Sequence, residues 1–546
     1  MELAPQVDFA DWFNNPQHSD VLLQITTQAL DAAGEGEALD DTGNHEPATT
    51  YHAHALLLVS QSTYLSARLS NRWTLRQPSH LAPPLQPPSH RHHPSDPTGI
   101  IAVASAPLVG TDTAAEAGDE AASSRGVQVL VEHVEADELP AMDLLMRLLY
   151  GHGIPQASPS RLLFQTLKLA DCFGCLAVLD RVLAHLAVYV EGDRPLSASF
   201  LGNFFLAPPS VFERPGFQPL REAAEQAMGR LFGHLPSVIR SPDLICQFCA
   251  LPFLAVLAWS DSDQLFVHSE NDVLFLSSAW VAAQQRSGQG PTPVELEMLA
   301  HYVRVYQLGP AYLHHVLPSL PWFTACSGMA SLPSLHMYKA HGVRLEAGLA
   351  NARMPVAGHS QLTTVCWEGP GAWVAAPRRH CHGETTSPLV WHFDPGNLQT
   401  LTAGAAVASP DACYSHGLLL RAVLRLVDTE PSAVSSGTAL ASASGVSLDL
   451  HLAVDAQAMA QHGLLWPPAA SVLLGPVDVQ VLGRSPALCR QRSYGHARFM
   501  QGCESRAYRD VLIRSAPTAQ ELVGPYLREG ELRVQALFSA VDRTMG

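Results

Sequence analysis

The spacing of apolar residues along the chain limits the folds that it can adopt. Between residues 195 and 325 apolar side chains recur at the spacing of helices, whereas beyond residue 360 they alternate with polar ones. The alternation is clearest at 446–454, and it recurs at 477–481 and at 532–540. Short alternating strands separated by Gly, Pro and Ser indicate an antiparallel sandwich or barrel. The sequence therefore predicts a multidomain chain, with an all-α domain at 195–325 and an antiparallel β-sandwich-like domain at 361–546.

The first part of the chain, residues 15–190, shows both spacings and is predicted to be mixed α/β. Residues 21–26 are a strand candidate, and Val127, Val129 and Val131 alternate with their neighbours in a second candidate. Helices are predicted at 53–69, 139–150 and 160–173, followed by a helical stripe of Leu176, Leu179, Leu183 and Leu186.

Two segments of this first part contain too little apolar surface to fold. Residues 31–48 are acidic, and residues 77–125 are rich in Pro, Ser, Ala and His. Neither segment buries enough to offset the entropy of ordering, so both are predicted to be disordered insertions. Residues 326–360 are predicted to be a linker with some helical tendency.

The strongest helix-start signal lies in the predicted all-α region. Ser269 is followed three residues later by Asp272, which is the spacing of a capping box. Val273, Leu276 and Trp280 then lie on one helical face, and Pro291 and Pro293 separate this helix from another at 296–308.

Charge and hydropathy exclude several classes of partner. The formal charge is −17, with 33 basic residues and no cluster of them, so direct binding of nucleic acid is not expected. The longest apolar run, 246–259, is interrupted by Gln247 and Pro252 and is too short to span a membrane. The first residues do not resemble a signal peptide. We expect a soluble protein of the cytoplasm, the nucleus or both, with no membrane partner.

Lysine is nearly absent, since Lys168 and Lys339 are the only two in the sequence. A GC-rich genome explains this composition, because it also favours Ala, Gly, Pro and Arg. Avoidance of self-ubiquitination is the alternative explanation.

No metal site, cofactor or enzymatic activity is predicted. The Cys172/Cys175 and Cys246/Cys249 pairs lie in apolar helix-like segments, where thiols three residues apart share a packed face. A second cluster, His380-Cys381-His382 with Cys366, is weak because adjacent side chains diverge, and His90, His92 and His93 lie in a predicted insertion. Phosphate-loop, nucleophile-elbow, zinc-helix and dinucleotide motifs are all missing from the sequence.

Residues 15–190 resemble the BTB/POZ family at four points that occur in the family's order. These are Ser19-Asp20-Val21-Leu22-Leu23, Tyr51-His52-Ala53-His54 with the helix after it, Leu144 to Gly151, and Lys168-Leu169-Ala170-Asp171-Cys172-Phe173-Gly174. The resemblance implies an α/β pairing module in which Asp20 and His54 are structural. The family usually has Arg or Lys after the motif His, but this chain has Ala55 there.

The rest of the chain resembles proteins in which a BTB/POZ domain precedes a helical BACK domain. Ser269-Glu270-Asn271-Asp272-Val273 with Trp280-Val281 is similar to the BACK pattern. The residues from Ala507 to Leu512, with Tyr526-Leu527 and Gly530 to Val534, are similar to the end of plant light-response BTB/POZ proteins.

The resemblance implies a non-catalytic adaptor that recruits an unknown protein substrate to a cullin-3 ubiquitin ligase and forms a homodimer through its BTB domain. Leu69, Trp73 and Leu75 are the candidate partner-binding residues. Cullin-binding relatives often carry an acidic residue just after the first long helix, and Trp73-Thr74-Leu75 lacks it. A homodimeric scaffold without ligase function, a signalling or transcriptional regulator, and an enzyme hidden in the β-rich region remain alternatives.

Overall fold

The structure, a computed structural model, describes residues 9–16, 19–28, 48–74, 128–192, 195–288, 290–340, 344–347, 364–367, 369–380, 388–399, 401–402, 404–429, 445–466, 471–474, 477–484, 489–494, 497–500, 508–514, 522–523, 526–528 and 531–538. Both predicted insertions, apart from residue 48, lie outside these ranges. The chain divides into two compact units. The first comprises Met1–Tyr189 with Pro208–Gly216, and the second comprises Val190–Ala207 with Phe217–Gly546.

Helices and strands alternate in the first 192 residues, helices dominate up to residue 340, and strands dominate after it. The first elements are β1 (Val21–Gln28), β2 (Thr49–Ala53), α1 (Ala55–Gln61), α2 (Thr63–Thr74), β3 (Gln128–Glu135), α3 (Leu139–Leu149), α4 (Ser160–Cys172) and α5 (Leu176–Glu191). The middle elements are α6 (Ala198–Phe205), α7 (Pro209–Phe212), α8 (Gln218–Phe232), α9 (Leu235–Arg240), α10 (Pro242–Cys249), α11 (Phe253–Asp261), β4 (Phe266–Val267), α12 (Glu270–Arg286), α13 (Pro293–His301), α14 (Pro321–Thr324) and α15 (Leu332–Ala340). The last are β5 (Arg344–Ala347), β6 (Thr364–Trp367), β7 (Arg379–His380), β8 (Leu389–Phe393), α16 (Pro395–Gln399), β9 (Ala406–Ala408), β10 (Cys413–Ser415), β11 (Leu418–Thr429), β12 (Gly445–Val454), α17 (Ala456–Gln461), β13 (Ser471–Leu474), β14 (Val477–Leu482), β15 (Arg490–Tyr494), β16 (Ala497–Met500), β17 (Tyr508–Arg514) and β18 (Leu532–Phe538).

The first unit contains a three-stranded sheet in the order β2-β1-β3. Strand β1 pairs antiparallel with β2 and parallel with β3. The predicted strands are confirmed, but the valine face of β3 is its exposed face. Leu130 lies beside the buried Leu23 of β1, and this register turns Val129 and Val131 towards solvent. Alternation gives the period of a strand, whereas the neighbouring strand decides which face is buried.

The predicted helix at 53–69 is instead two helices that meet at Ser62. The Ser62 hydroxyl donates to the Phe173 carbonyl oxygen at 2.5 Å, and it accepts from the Leu65 amide at 3.0 Å. Ser62 therefore caps α2 with its side chain, and an extended backbone at this residue ends α1. The predicted helices at 139–150 and 160–173 are confirmed as α3 and α4.

Helix α12 is the central helix of the second unit. The sequence predicts one apolar face, but every residue from Glu270 to Val281 is buried. The Ser269 side chain makes no cap bond, whereas the Asp272 carboxylate accepts from the amides of His268 and Ser269. Of the two hydrogen bonds of the predicted capping box, the one accepted by the Asp272 side chain is therefore present and the one accepted by the Ser269 side chain is not.

Among the described residues, β13 pairs antiparallel with β16, and β5 pairs parallel with β6. The β-rich part of the second unit also contains two larger antiparallel sheets, as the alternation predicts. One has the order β10-β11-β12-β17, with β9 also paired to β11, and the other has the order β15-β14-β18-β8. The Trp391 indole nitrogen of β8 donates to the Leu420 carbonyl of β11 at 3.1 Å, which joins the two sheets. The described chain is thus mixed helix and sheet, with separate sheets.

The helical and β-rich parts of the second unit share buried polar contacts. Arg378, which precedes β7, donates to Glu270 of α12 at 3.1 Å, and the Tyr414 hydroxyl of β10 donates to Asp272. Apart from Pro208–Gly216, the regions predicted as domains at 195–325 and 361–546 both fall in the second compact unit. The segment predicted as a linker includes α15 and β5.

Among the described helices, none is long and apolar enough on its own to cross a membrane. Helices α10 and α11 together are long and apolar enough by length and composition alone, but a bend of 114° separates them.

Candidate protein-interaction surface

The four motifs that carry the sequence resemblance contact one another in the first unit. The Asp20 carboxylate accepts from the Ala55 amide at 2.7 Å, which satisfies the first backbone donor of α1. The Tyr150 hydroxyl accepts from the His54 amide at 2.9 Å and lies 3.0 Å from His54 Nδ1. The structural roles predicted for Asp20 and His54 are consistent with these contacts. Ala55 meets Asp20 through its backbone, so this contact needs no cation at position 55.

The last of these motifs, which ends at Gly174, contacts the start of α2. The Thr63 amide donates to the Gly174 carbonyl at 3.4 Å. Gly174 has a φ of +61°, and a Cβ there would collide with the Thr63 side chain. The position therefore needs glycine both for its backbone conformation and for the close approach of α2.

The predicted partner-binding residues have different surroundings. Leu69 is 1% exposed, so it offers a partner almost no surface and acts as a core residue of α2. Trp73 lies in the last turn of α2, with only its backbone described, and Leu75 lies outside the described residues. The structure therefore brings none of these three side chains to a described surface.

An apolar surface lies instead on α1 and the start of α5. Leu56 is 81% exposed and Leu176 is 52% exposed, and Val59 lies one turn after Leu56 on the same helix. A groove of about 530 Å³, lined by Val59, Ala67 and Leu176 among others, runs beside them. We call Leu56, Val59 and Leu176 the α1 surface. The run of four apolar residues at 56–59 predicts a helix, but it does not show which face is outside.

A buried acidic residue of the sheet, Glu132, binds α2, the helix that lines one side of the groove. Glu132 of β3 accepts from the Tyr64 hydroxyl at 2.9 Å and from Arg68 at 3.3 Å, both on α2. Burial raises the pKa of Tyr64, and the bond to Glu132 raises it further, so the phenol stays protonated as a donor. These bonds hold α2 on the sheet and fix the groove that α2 lines.

An aromatic segment that the sequence analysis missed precedes β1. Trp12, in a short 3-10 helix, lies with its ring 5.2 Å from that of His54. The Phe13 ring lies 5.5 Å from that of Tyr150, and the Arg147 guanidinium lies over Phe13 at 5.4 Å. The segment covers the His54–Tyr150 pair. Burial raises the pKa of Tyr150 to about 12.

Burial disfavours the thiolate form at three of the four cysteines in the two pairs. Burial raises the pKa of Cys175 and of Cys249 to about 11, and it also raises the pKa of Cys172. Nucleophilic cysteines need the opposite shift. A cavity of about 650 Å³ in the second unit is lined by Cys249 and by Cys413, whose pKa is also raised to about 11.

Much of the weak cluster formed by His380-Cys381-His382 and Cys366, for which no metal site is predicted, lies outside the described residues. Cys381 and His382 lie outside them, as do His90, His92 and His93. Cys366 lies in β6 and His380 ends β7, each with only its backbone described. The structure therefore brings no ligand set together there among the described side chains.

Both lysines are held by hydrogen bonds. Lys168 Nζ donates to Glu138 at 2.7 Å in the first unit. Lys339 Nζ donates to the carbonyl oxygens of Tyr306, at 2.8 Å, and of Leu308 in the second unit. The Lys168 bond to Glu138 raises the pKa of this lysine above its ordinary value.

A comparison with protein-family models finds no matching family, and a comparison with curated proteins finds no matching sequence.

Proposed function

We propose that this chain is a non-catalytic adaptor, with a BTB/POZ-type first unit that binds a cullin-3-type scaffold and a second copy of itself. The second unit, with a BACK-type helical part and an attached pair of sheets, carries a protein substrate. The proposed cellular location of the chain is the cytoplasm, the nucleus or both.

One observation carries the proposal: the four family-like motifs form a single contacting set. Asp20 meets Ala55, His54 meets Tyr150, and Thr63 meets Gly174, although these pairs are widely separated in sequence. Motifs that matched by chance have no reason to contact one another. The contacts support a common architecture with the BTB/POZ family.

The proposed mechanism is tethering. An adaptor holds a substrate lysine near the ubiquitin-charged enzyme, which raises the effective concentration of the two reacting groups. No residue of this chain then needs to touch the reacting bond. The chain's own lysines are poor targets in this arrangement, because Lys168 and Lys339 are both held by hydrogen bonds.

The adaptor proposal is tested by titrating the purified full chain with cullin-3 and measuring binding by calorimetry. We expect a complex at micromolar concentration or tighter. Trp73→Ala is expected to weaken it about tenfold or more, because Trp is enriched among the residues that dominate interfaces. Trp12→Ala, in the separate aromatic segment, is the matched control and should leave the affinity unchanged. Absence of a complex at micromolar concentration contradicts cullin recruitment.

The α1 surface is proposed to pair with a second copy of the chain. Leu56→Asp is expected to weaken self-association by about 10- to 100-fold, because burying a leucine contributes ~1.5–3 kcal/mol. Leu254→Asp, at an exposed leucine of α11, should leave the monomer–dimer equilibrium unchanged. Analytical ultracentrifugation measures both variants. A wild-type chain that stays monomeric at tens of micromolar contradicts this pairing.

A homodimeric scaffold or regulator without ligase function is the second candidate. The observation that favours it is the sequence Trp73-Thr74-Leu75, which lacks the acidic residue found in many cullin-binding relatives. Dimerisation through the α1 surface without cullin binding would select this candidate.

A further inference from the structure

Three side chains of different chemistry converge between α13 and the turn that follows α14. Glu297 and His301 lie four residues apart on α13, so they share a helical face. The third is Cys326, which is buried and lies just before a 3-10 helix at Ser327–Ser331. One ligand atom from each residue lies within 4.8 Å of the other two.

The ligand atoms lie somewhat farther apart than those of an occupied metal centre. In a tetrahedral zinc site with bonds of ~2.0–2.3 Å, ligand atoms lie about 3.5 Å apart. His301 Nε2 lies 3.9 Å from Glu297 Oε1, so small side-chain rotations bring the atoms to bonding positions. Thiolate, imidazole and carboxylate are the three ligand types that proteins use for zinc.

The imidazole supplies an independent observation. The His301 side chain is 39% exposed, but its Nε2 atom is itself buried and has no hydrogen-bond partner within the described part of the chain. A buried ring nitrogen without a partner is costly, and coordination to a cation would satisfy it. The position also suits a cation because it lies at the C-terminal end of α13, where the helix dipole is negative.

The groups around the cluster hold the other two ligands in place. The Ser327 hydroxyl and amide both donate to the Glu297 carboxylate, and the Gly328 amide donates to Cys326 Sγ. A Cβ at Gly328 would lie 2.9 Å from Pro370 Cγ and 3.0 Å from Trp373, so the turn is packed tightly. The Trp373 indole nitrogen in turn donates to the Ala300 carbonyl at 3.0 Å, beside His301. Such outer contacts orient metal ligands.

We propose that Glu297, His301 and Cys326 bind one zinc ion, with a water molecule as the fourth ligand. Binding forms a bond from the metal to Cys326 Sγ and releases the thiol proton to solvent, because a coordinating thiol is deprotonated. The two negative ligands then balance the charge of the ion. The metal joins α13 to the 3-10 helix at Ser327–Ser331.

The test is a cobalt titration of the purified, chelator-treated full chain. We expect one equivalent of Co²⁺ to bind with a near-ultraviolet thiolate-to-cobalt charge-transfer band, which one equivalent of Zn²⁺ removes. Cys326→Ser should abolish the band, and His301→Gln should weaken binding by more than ~100-fold, since even outer contacts contribute 10- to 100-fold. Cys413→Ser, at a half-buried thiol outside the cluster, is the control and should retain the band.

Folding is checked by circular dichroism, and Zn²⁺ should raise the melting temperature of the wild type and of Cys413→Ser only. If Cys326→Ser fails to fold, Glu297→Gln provides the test, because this residue is partly exposed and its replacement has the same shape. Either substitution in the cluster should lower the affinity for zinc. A wild-type chain that retains no zinc at micromolar concentration, or a charge-transfer band that persists in Cys326→Ser, overturns the proposal.

Discussion

Arg378 uses each nitrogen of its guanidinium inside the second unit. Nε donates to Glu270 at 3.1 Å, Nη1 to the Ser262 carbonyl, and Nη2 to the Ser260 carbonyl at 2.6 Å. The side chain is fully buried and that of Glu270 is 1% exposed. Burying two charges costs much solvation free energy, and their hydrogen bonds are what make this arrangement tolerable.

Removal of one member of this pair should therefore be severe. Arg378→Met leaves Glu270 buried without its main cation, and we expect a loss of ~3–5 kcal/mol in the free energy of unfolding. Urea denaturation measures it. Arg379→Met is the matched control, because Arg379 is exposed and lies over the Phe266 ring at 5.9 Å. Its loss should cost less than ~1 kcal/mol. Equal effects of the two substitutions would contradict the buried role of Arg378.

A second prediction at the residue scale concerns pH. Burial raises the pKa of Asp272 from 3.8 to about 6, against the lowering effect of its bonds from Tyr414, His268 and Ser269. Between these two values the folded chain holds a proton that the unfolded chain has lost. Stability should therefore fall as the pH rises from about 4 to about 6, by an amount on the order of 3 kcal/mol.

Asp272→Asn removes this contribution. Urea midpoints measured from pH 4 to pH 7 should change less with pH in the variant than in the wild type. A variant whose midpoints follow the same slope as the wild type would show that Asp272 does not titrate in this range.

At the scale of elements, local patterns predict periods well, whereas distant contacts decide buried faces and breaks. The alternation at 446–454 and 477–481 correctly predicts β12 and β14. The break at Ser62 is not visible in the sequence, because it depends on the carbonyl of Phe173, far along the chain. In the same way, periodicity predicts one buried face for α12, but helices α9, α10 and α11 and Tyr414 of β10 contact this helix as well.

The candidate sites also differ in whether a local sequence pattern or a distant contact determines them. Asp20 and His54 belong to short motifs, and their structural roles follow from neighbours that the motifs themselves include. The α1 surface depends on which side of α1 packs against α2 and α3. The Glu297, His301 and Cys326 cluster joins two elements whose relative placement no local pattern reports.

The junction between α2 and the turn after α4 provides a test at this scale. Gly174→Ala places a Cβ against the Thr63 side chain at a backbone conformation with positive φ. We expect a loss of ~1–3 kcal/mol in stability. Gly153→Ala, where a Cβ meets nothing within 4 Å, should change stability by less than ~0.5 kcal/mol. Thermal unfolding of both variants measures the difference, and a tolerated Gly174→Ala would contradict the close packing.

At the scale of the whole molecule, the helical and β-rich parts of the second unit are expected to fold together. A fragment of residues 361–546 retains Arg378 and Tyr414 but lacks Glu270 and Asp272, which bind them. We expect this fragment to show no cooperative thermal transition by near-ultraviolet circular dichroism. A fragment of 190–546 is the control and should unfold cooperatively. A cooperative transition in the shorter fragment would show that the sheets fold alone.

The engagement of both lysines has a practical consequence for finding what this chain binds. Reagents that couple primary amines have two side-chain anchor points, Lys168 and Lys339, and each nitrogen already donates to an oxygen. Partners captured by such chemistry would be under-represented. Carboxylate-directed coupling has 50 acidic side chains to use and is the better choice for capturing neighbours of this protein.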